Sequence, residues 1–292
     1  MSAYRGRIAP SPSGLMHLGH ARTFWIAYQR AVSAGGVLIF RNEDLDPERS
    51  RLEFFRAMLE ELSWLGIRWQ EGPVLSPLGK EVGPHAPYSQ SARGEFYLVA
   101  WRELMARGDL YPCACSRKEL ALAASAPHGH GVAEQIYPGT CRRALSASEI
   151  CEWLERGPAG ANWRFRLTDG EPIAFTDNNP GFGEQSFVAG RDFGDFPVWR
   201  RDGVPAYQLA VVVDDAAMRV TEVVRGADLL LSTARQILLQ RALGLPALEY
   251  FHCELVKDAD GQRLAKRHDA LSLRALRAEG WTPERVLASF ST

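Results

Sequence analysis

The sequence predicts a parallel α/β fold interrupted by an inserted module, on three observations. A short apolar strand pattern from Gly6 to Ala9 runs through a Pro/Ser/Gly turn into a helical pattern from Leu18 to about Ser33. A second strand is expected at Val37 to Arg41, because Gly35-Gly36 breaks the helix and Val-Leu-Ile-Phe is continuously apolar, as a strand buried on both faces requires. From Tyr111 to about Pro180 the texture changes to cysteines, a Gly/Pro/His-rich stretch and short patterns, which marks the insertion.

The other elements follow in chain order. Asp46-Pro47-Glu48 reads as the opening of a helix over Ser50 to Leu65, with Asp46 as N-cap and Pro47 at the first helical position. A further helix spans about Arg93 to Ala106. Inside the insertion a short helix is expected near Ser146 to Glu155 and a strand over Asn162 to Leu167. Strands are expected to return at Ala206 to Val213 and Arg219 to Val224, with a helix over Asp228 to Ala242. The chain thus divides into the first half of a catalytic domain (1–110), an inserted module (111–190), and the second half with C-terminal helices (191–292).

With 292 residues and 46% hydrophobic content, the chain can build a large core. Its N-terminus lacks the apolar run of a secretory signal, and no run of about 18 apolar residues occurs, so a cytoplasmic protein without a membrane partner is expected. The net charge of −1 leaves any nucleic-acid partner to a local basic face rather than a global field. Five cysteines is an odd number, and Cys113, Cys115 and Cys141 lie close in sequence, so a metal cluster is more natural than a disulfide framework.

A helix N-terminus behind a Gly-containing turn presents unpaired N–H groups and the positive end of the helix dipole to a phosphate. At this turn His17 and His20, three apart, share one face, and Gly19 between them lets a flat adenine approach the backbone. On the residues alone, two capping or solvated histidines explain the pattern equally well.

The run Arg7-Ile-Ala-Pro-Ser-Pro-Ser-Gly-Leu-Met-His-Leu-Gly-His20 resembles the first ATP signature of class I aminoacyl-tRNA synthetases, in the form used by glutamyl and glutaminyl enzymes. Arg41-Asn-Glu-Asp-Leu-Asp-Pro47, Tyr207-Gln-Leu-Ala-Val-Val-Val-Asp-Asp215 and Val224-Arg-Gly-Ala-Asp228 resemble later elements of the same family, in the same order. Arg263-Leu-Ala-Lys266 occupies the place of the Lys-Met-Ser-Lys loop, keeping the final lysine but with Arg263 for the first and Ala265 for the serine. The resemblance implies a Rossmann-type class I synthetase catalytic domain that binds ATP with Mg²⁺ through His17, Gly19, His20, Arg263 and Lys266. His17, His20 and Lys266 would then be the catalytic groups, since carboxylate activation needs charge stabilisation rather than a covalent nucleophile. It also implies an L-glutamate pocket of Arg7, Ser11, Glu43, Tyr207 and Arg225, with Glu43 suited to the α-ammonium and an arginine to the side-chain carboxylate.

Three cysteines need a fourth ligand for tetrahedral zinc. Spacing alone nominates His128 or His130, because the Tyr137 phenol must lose a proton of pKa about 10 to bind as an anion. Truncated glutamyl-synthetase-like proteins, which the chain resembles here, imply instead Cys113, Cys115, Tyr137 and Cys141 around one structural Zn²⁺. Arg117, Lys118, Arg142 and Arg143 nearby offer phosphate contacts or a solvated face.

The 26 residues after Lys266 are too few for a further domain, so no anticodon-binding domain is expected. With the cysteine module, this likeness implies a monomer that transfers glutamate to the queuosine base in the anticodon stem-loop of tRNA(Asp). A compact glutamyl-tRNA synthetase charging a tRNA 3′ end, and a non-catalytic RNA-binding paralogue, are the alternative readings.

Overall fold

The computed structural model describes residues 3–115, 136–255 and 272–291. β1 (Arg5–Ile8) is followed by α1 (Leu18–Ser33) and β2 (Val37–Phe40), and the two strands pair in parallel with Arg5 opposite Val37. Parallel neighbours need a crossover, and α1 supplies it, with Ala21, Ala27 and Ala31 on its buried side allowing close approach to the sheet. Gly35 ends the helix at φ 59, a left-handed conformation that a side chain would strain.

α2 (Leu52–Trp64) places Phe55, Met58, Leu59 and Leu62 on one face, the spacing of an amphipathic helix, and buries them against the same sheet. Its start differs from the sequence expectation. Asp46 closes a turn instead of capping the helix: its Oδ1 accepts from Glu48 N–H at 3.2 Å and its carbonyl from Ser50 N–H at 2.9 Å. Arg51 precedes the helix with no side-chain cap.

β3 (Gly72–Pro73) and β4 (Glu81–Val82) make a small antiparallel ladder, and α3 (Gly94–Ala106) leads to β5 (Leu110–Cys113). Further along, α4 (Ala147–Arg156) opens on a reciprocal Ser146–Glu149 capping box. β6 (Asn162–Phe165), the hairpin of β7 (Pro172–Thr176) and β8 (Glu184–Val188), and β9 (Phe196–Trp199) follow. β5, β6 and β9 form an antiparallel sheet in that order.

The segment expected as a strand at Ala206 to Val213 is a helix, α5 (Tyr207–Ala217). A short, continuously apolar run has no period to separate strand from buried helix. Here Leu209 to Val213 are buried between α3, β9 and the next helix, so burial on most sides replaces the amphipathic signal. Arg219, at φ 56, then turns the chain, so that β10 (Glu222–Gly226) starts later than expected. After a 3₁₀ turn, α6 (Leu230–Ala242) leads to β11 (Glu249–Cys253), parallel to β10. Thr221 N–H donates to the Arg5 carbonyl at 2.8 Å, which sets the parallel pair β10–β11 beside the parallel pair β1–β2. α7 (Leu273–Ala278) and α8 (Pro283–Ala288) seat Leu273, Leu276 and Val286 in the core under β1 and β2.

A second core joins α3, β6, β9, α5 and α6, with Trp101 edge-on to Trp163 at 5.1 Å, so β6 and β9 share one continuous apolar interior with these helices. None of the described helices is long and apolar enough to cross a membrane.

Candidate active site

A cavity of about 420 Å³ opens at the carboxyl ends of β1 and β10, the edge of an open parallel sheet where ligands characteristically bind. Arg7 reaches it from β1, Ser11 from the following loop, His17, Gly19 and His20 from the start of α1, Glu43 from beyond β2, Tyr207 from the start of α5, and Arg225 from β10. Every site residue expected for ATP or glutamate within the described residues therefore lines one cavity. Arg263, Lys266, His128 and His130 lie outside the described residues.

His17 is the residue before α1, and its Nδ1 accepts from Gly19 N–H at 3.1 Å. In the neutral imidazole this leaves the proton on Nε2, a donor suited to a phosphate oxygen. The His20 ring stacks on it with centroids 3.8 Å apart. Of the two explanations of these histidines, the capping one is seen at His17, whose Nδ1 caps the helix, and both rings lie beside the helix N-terminus in the cavity wall.

Beneath the cavity is a network of buried charges. Arg41, fully buried, pairs with Asp215 and donates from Nη2 to Glu43 Oε1 at 2.9 Å. Arg7 Nε lies 3.5 Å from the same Asp215, and its Nη1 donates to the Val224 carbonyl at 2.8 Å. Asp214 accepts from Arg93, Gln90 and Tyr97. Burial raises the pKa of Glu43, and the Arg41 cation opposes it. Such a cluster is stable only because each ion is paired or hydrogen-bonded.

Arg225 differs from these cations. It is 4% exposed, yet its partners are all neutral: Nε donates to His252 Nε2 at 3.2 Å, Nη1 to Gln236 Oε1 at 2.7 Å and Nη2 to Thr233 Oγ1 at 2.6 Å. No carboxylate among the described residues pairs with it. Those three bonds leave one N–H on each terminal nitrogen, since a guanidinium carries five donors. A buried cation that faces a cavity and is bonded only to neutral partners is a place for an anionic ligand group.

Sequence reasoning missed Arg41, Asp214 and Asp215 as supports, although both stretches were quoted for their resemblance. It also missed Thr233, Gln236, His252 and Asp177, which carry no local motif.

Away from the cavity, the sulfurs of Cys113, Cys115 and Cys141 lie within 4.8 Å of one another, and Tyr137 Oη is 3.6 Å from Cys113 Sγ and 3.8 Å from Cys115 Sγ. Tetrahedral zinc with Zn–S of about 2.3 Å holds its ligand atoms roughly 3.8 Å apart, which this set matches. Burial raises the Cys141 pKa, but bonds to Tyr137 and the Ala114 backbone outweigh it and bring the thiol down to about 7, close to the thiolate a metal needs. Arg164 stacks over the Tyr137 ring at 3.8 Å and donates to Cys113 Sγ at 3.3 Å. Arg142 and Arg143, read from the sequence as phosphate contacts or a solvated face, are engaged within the chain, Arg142 by Asp169 at 2.8 Å and Arg143 by Glu149 at 2.7 Å.

A family model described as tRNA synthetases class I (E and Q), catalytic domain, matches residues 3–291. The chain is 50% identical over 282 residues to a Symbiobacterium thermophilum protein named Glutamyl-Q tRNA(Asp) synthetase, covering 97% of this chain and 84% of that one. A protein of the same name from Nitratidesulfovibrio vulgaris is 47% identical, with 94% and 82% covered. Among solved structures, a glutamate-tRNA synthetase from Elizabethkingia anophelis is similar with a TM-score of 0.75 and 28% identity, over 96% of this chain and 54% of that chain.

Proposed function

Because the chain belongs to the class I tRNA synthetase family for glutamate and glutamine, through its catalytic domain, we propose that it activates L-glutamate with ATP and Mg²⁺ and transfers it to the queuosine base in the anticodon loop of tRNA(Asp). The observation that carries the choice of amino acid is Arg225, a buried cation in the cavity with neutral partners only. The side-chain carboxylate of glutamate supplies the missing charge, and Glu43 faces the α-ammonium. The choice of acceptor is supported by the two relatives named for it, at 50% and 47% identity.

In this reading the substrate α-carboxylate attacks the α-phosphorus of ATP, forming the acyl–phosphate bond as the bond to pyrophosphate breaks. His17 Nε2–H and the N–H groups opening α1 meet the phosphates, His20 adds a second donor from the same face, and Lys266 offsets the charge on the departing pyrophosphate. A hydroxyl of the queuosine cyclopentenediol, a cis-diol like the terminal ribose, then takes the glutamyl group and AMP leaves. Cys113, Cys115, Tyr137 and Cys141 hold one structural zinc ion within 111–190, which we read as the acceptor-binding module.

Glutamate transfer measured on tRNA(Asp) with and without queuosine tests this. Transfer is expected only to the queuosine-containing tRNA. Charging of unmodified tRNA(Glu) with none of queuosine-containing tRNA(Asp) would support the 3′-end reading, and absence of glutamate-dependent ATP/pyrophosphate exchange the non-catalytic one. Arg225→Ala is expected to weaken glutamate by about a hundredfold in the exchange assay, the effect of losing a buried charge-assisted pair.

A further inference from the structure

Asp177, in the turn after β7, and His252, on β11, form a buried chain that ends on Arg225. Asp177 is 3% exposed and His252 0%. Asp177 Oδ1 accepts from the backbone N–H of His252 at 3.1 Å and of Asn179 at 2.9 Å, and Oδ2 accepts from His252 Nδ1–H. The imidazole proton therefore sits on Nδ1, and Nε2 is left as the acceptor for the Thr233 hydroxyl at 3.1 Å and for Arg225 Nε–H at 3.2 Å. With the proton on Nε2, two donors would face each other across that distance.

From this geometry we infer that Asp177 and His252 are positioning residues, which hold the Arg225 guanidinium so that glutamate is taken and glutamine refused. This rests on the glutamate reading of the cavity.

The chemistry of the chain accounts for an otherwise costly arrangement. A carboxylate in direct contact with Arg225 would fix it but also neutralise the charge the substrate needs. An imidazole between them transmits the orientation and leaves the cation unpaired for a ligand. Burial, and then the Arg225 charge, push the His252 pKa down to about 4 against the opposing bond to Asp177, so the ring stays a neutral acceptor at neutral pH. Thr233 and Gln236 on α6 anchor the terminal nitrogens, so three residues on two elements, β11 and α6, hold the guanidinium plane.

A fixed pair of N–H groups donates to two carboxylate oxygens. The glutamine amide would oppose one of them with its own N–H₂, and a guanidinium unable to rotate cannot relieve that clash. A guanidinium released from His252 could turn away, so selectivity depends on the anchor.

The test is glutamate-dependent ATP/pyrophosphate exchange by the full chain carrying His252→Phe, His252→Gln or Asp177→Asn. His252→Phe keeps a ring of similar size without the acceptor. It is expected to raise the KM for glutamate about tenfold, the loss of one hydrogen bond to a charged group, with the KM for ATP and the Tm near the unsubstituted values. The preference for glutamate over glutamine falls with it. Asp177→Asn, whose amide N–H₂ turns the ring to the other tautomer, behaves likewise. His252→Gln, which places Oε1 near the former Nε2, recovers most of the affinity; a purely structural role for the ring would not produce that recovery.

Unchanged glutamate KM and selectivity in His252→Phe overturn the inference, as does a loss that His252→Gln leaves unrepaired. Should His252→Phe fail to fold, Asp177→Asn decides on the same KM and selectivity criterion. An unsubstituted protein without glutamate-dependent exchange strikes the glutamate reading itself, and this inference with it, an outcome distinct from exchange that is present but insensitive to His252.

Discussion

Arg41 donates from Nη2 to Glu43 Oε1 at 2.9 Å while the same guanidinium is paired with Asp215, so Glu43 is held in the cavity wall by a cation that does not depend on it for neutralisation. Glu43→Gln should therefore fold. With the anion for the substrate ammonium gone, the glutamate KM in ATP/pyrophosphate exchange is expected to rise by roughly thirtyfold, or about 2 kcal/mol, with little change for ATP. An unaltered glutamate KM would remove Glu43 from the pocket.

The cysteine cluster lies apart from the cavity, so its metal is expected to stabilise rather than catalyse. Metal analysis of protein prepared without chelator should give one zinc per chain, and Cys141→Ser should lose it and lower the Tm while keeping glutamate-dependent exchange. A chain that carries no zinc under those conditions refutes the assignment.

Glu61 on α2 is 2% exposed, and its Oε2 has no hydrogen-bond partner. Burial raises its pKa to about 7, with Arg274 and Arg277 acting against the shift. In the window between an unfolded value near 4.5 and that raised folded value, the native state holds a proton that the unfolded chain has released, so stability falls as pH rises through it. Glu61→Gln removes the buried charge. It should stabilise the fold at pH 8 by on the order of 1 to 3 kcal/mol, read as a raised Tm, and give little gain at pH 5. Thermal denaturation at both values checks the sign: an equal gain at both, or a gain confined to pH 5, contradicts it.

Lys266→Ala should reduce the rate of glutamate-dependent exchange by about a hundredfold or more, as removal of one transition-state charge contact does, with the glutamate KM nearly unchanged. A rate that survives this change would mean that pyrophosphate departure is stabilised elsewhere.

Much of the site was legible in the chain because it is built from contiguous runs. The turn from Pro10 to His20 encodes its strand end, helix start and histidine pair within one local stretch, and the parallel unit β1–α1–β2 follows from its apolar pattern and glycine break. Ser146 and Glu149 likewise announce the start of α4 through a local capping box. The helix over Tyr207 to Ala217 was not legible, because its apolar run is shaped by the layers around it rather than by a period of its own.

By itself the sequence determined the α/β class, the Pro/Ser/Gly turn into α1 and the grouping of three cysteines, since each depends on residue type at short spacing, and its resemblance to a family singled out Arg7, Glu43 and Arg225. Only the tertiary structure decided how those charges are balanced. It brought Asp215 to Arg7 and Arg41, and it gave Arg225 Thr233, Gln236 and His252 in place of a carboxylate. The physical reason is that desolvation and pairing of a buried charge depend on which residues folding brings within about 4 Å, and those partners lie on other strands and helices, far away along the chain.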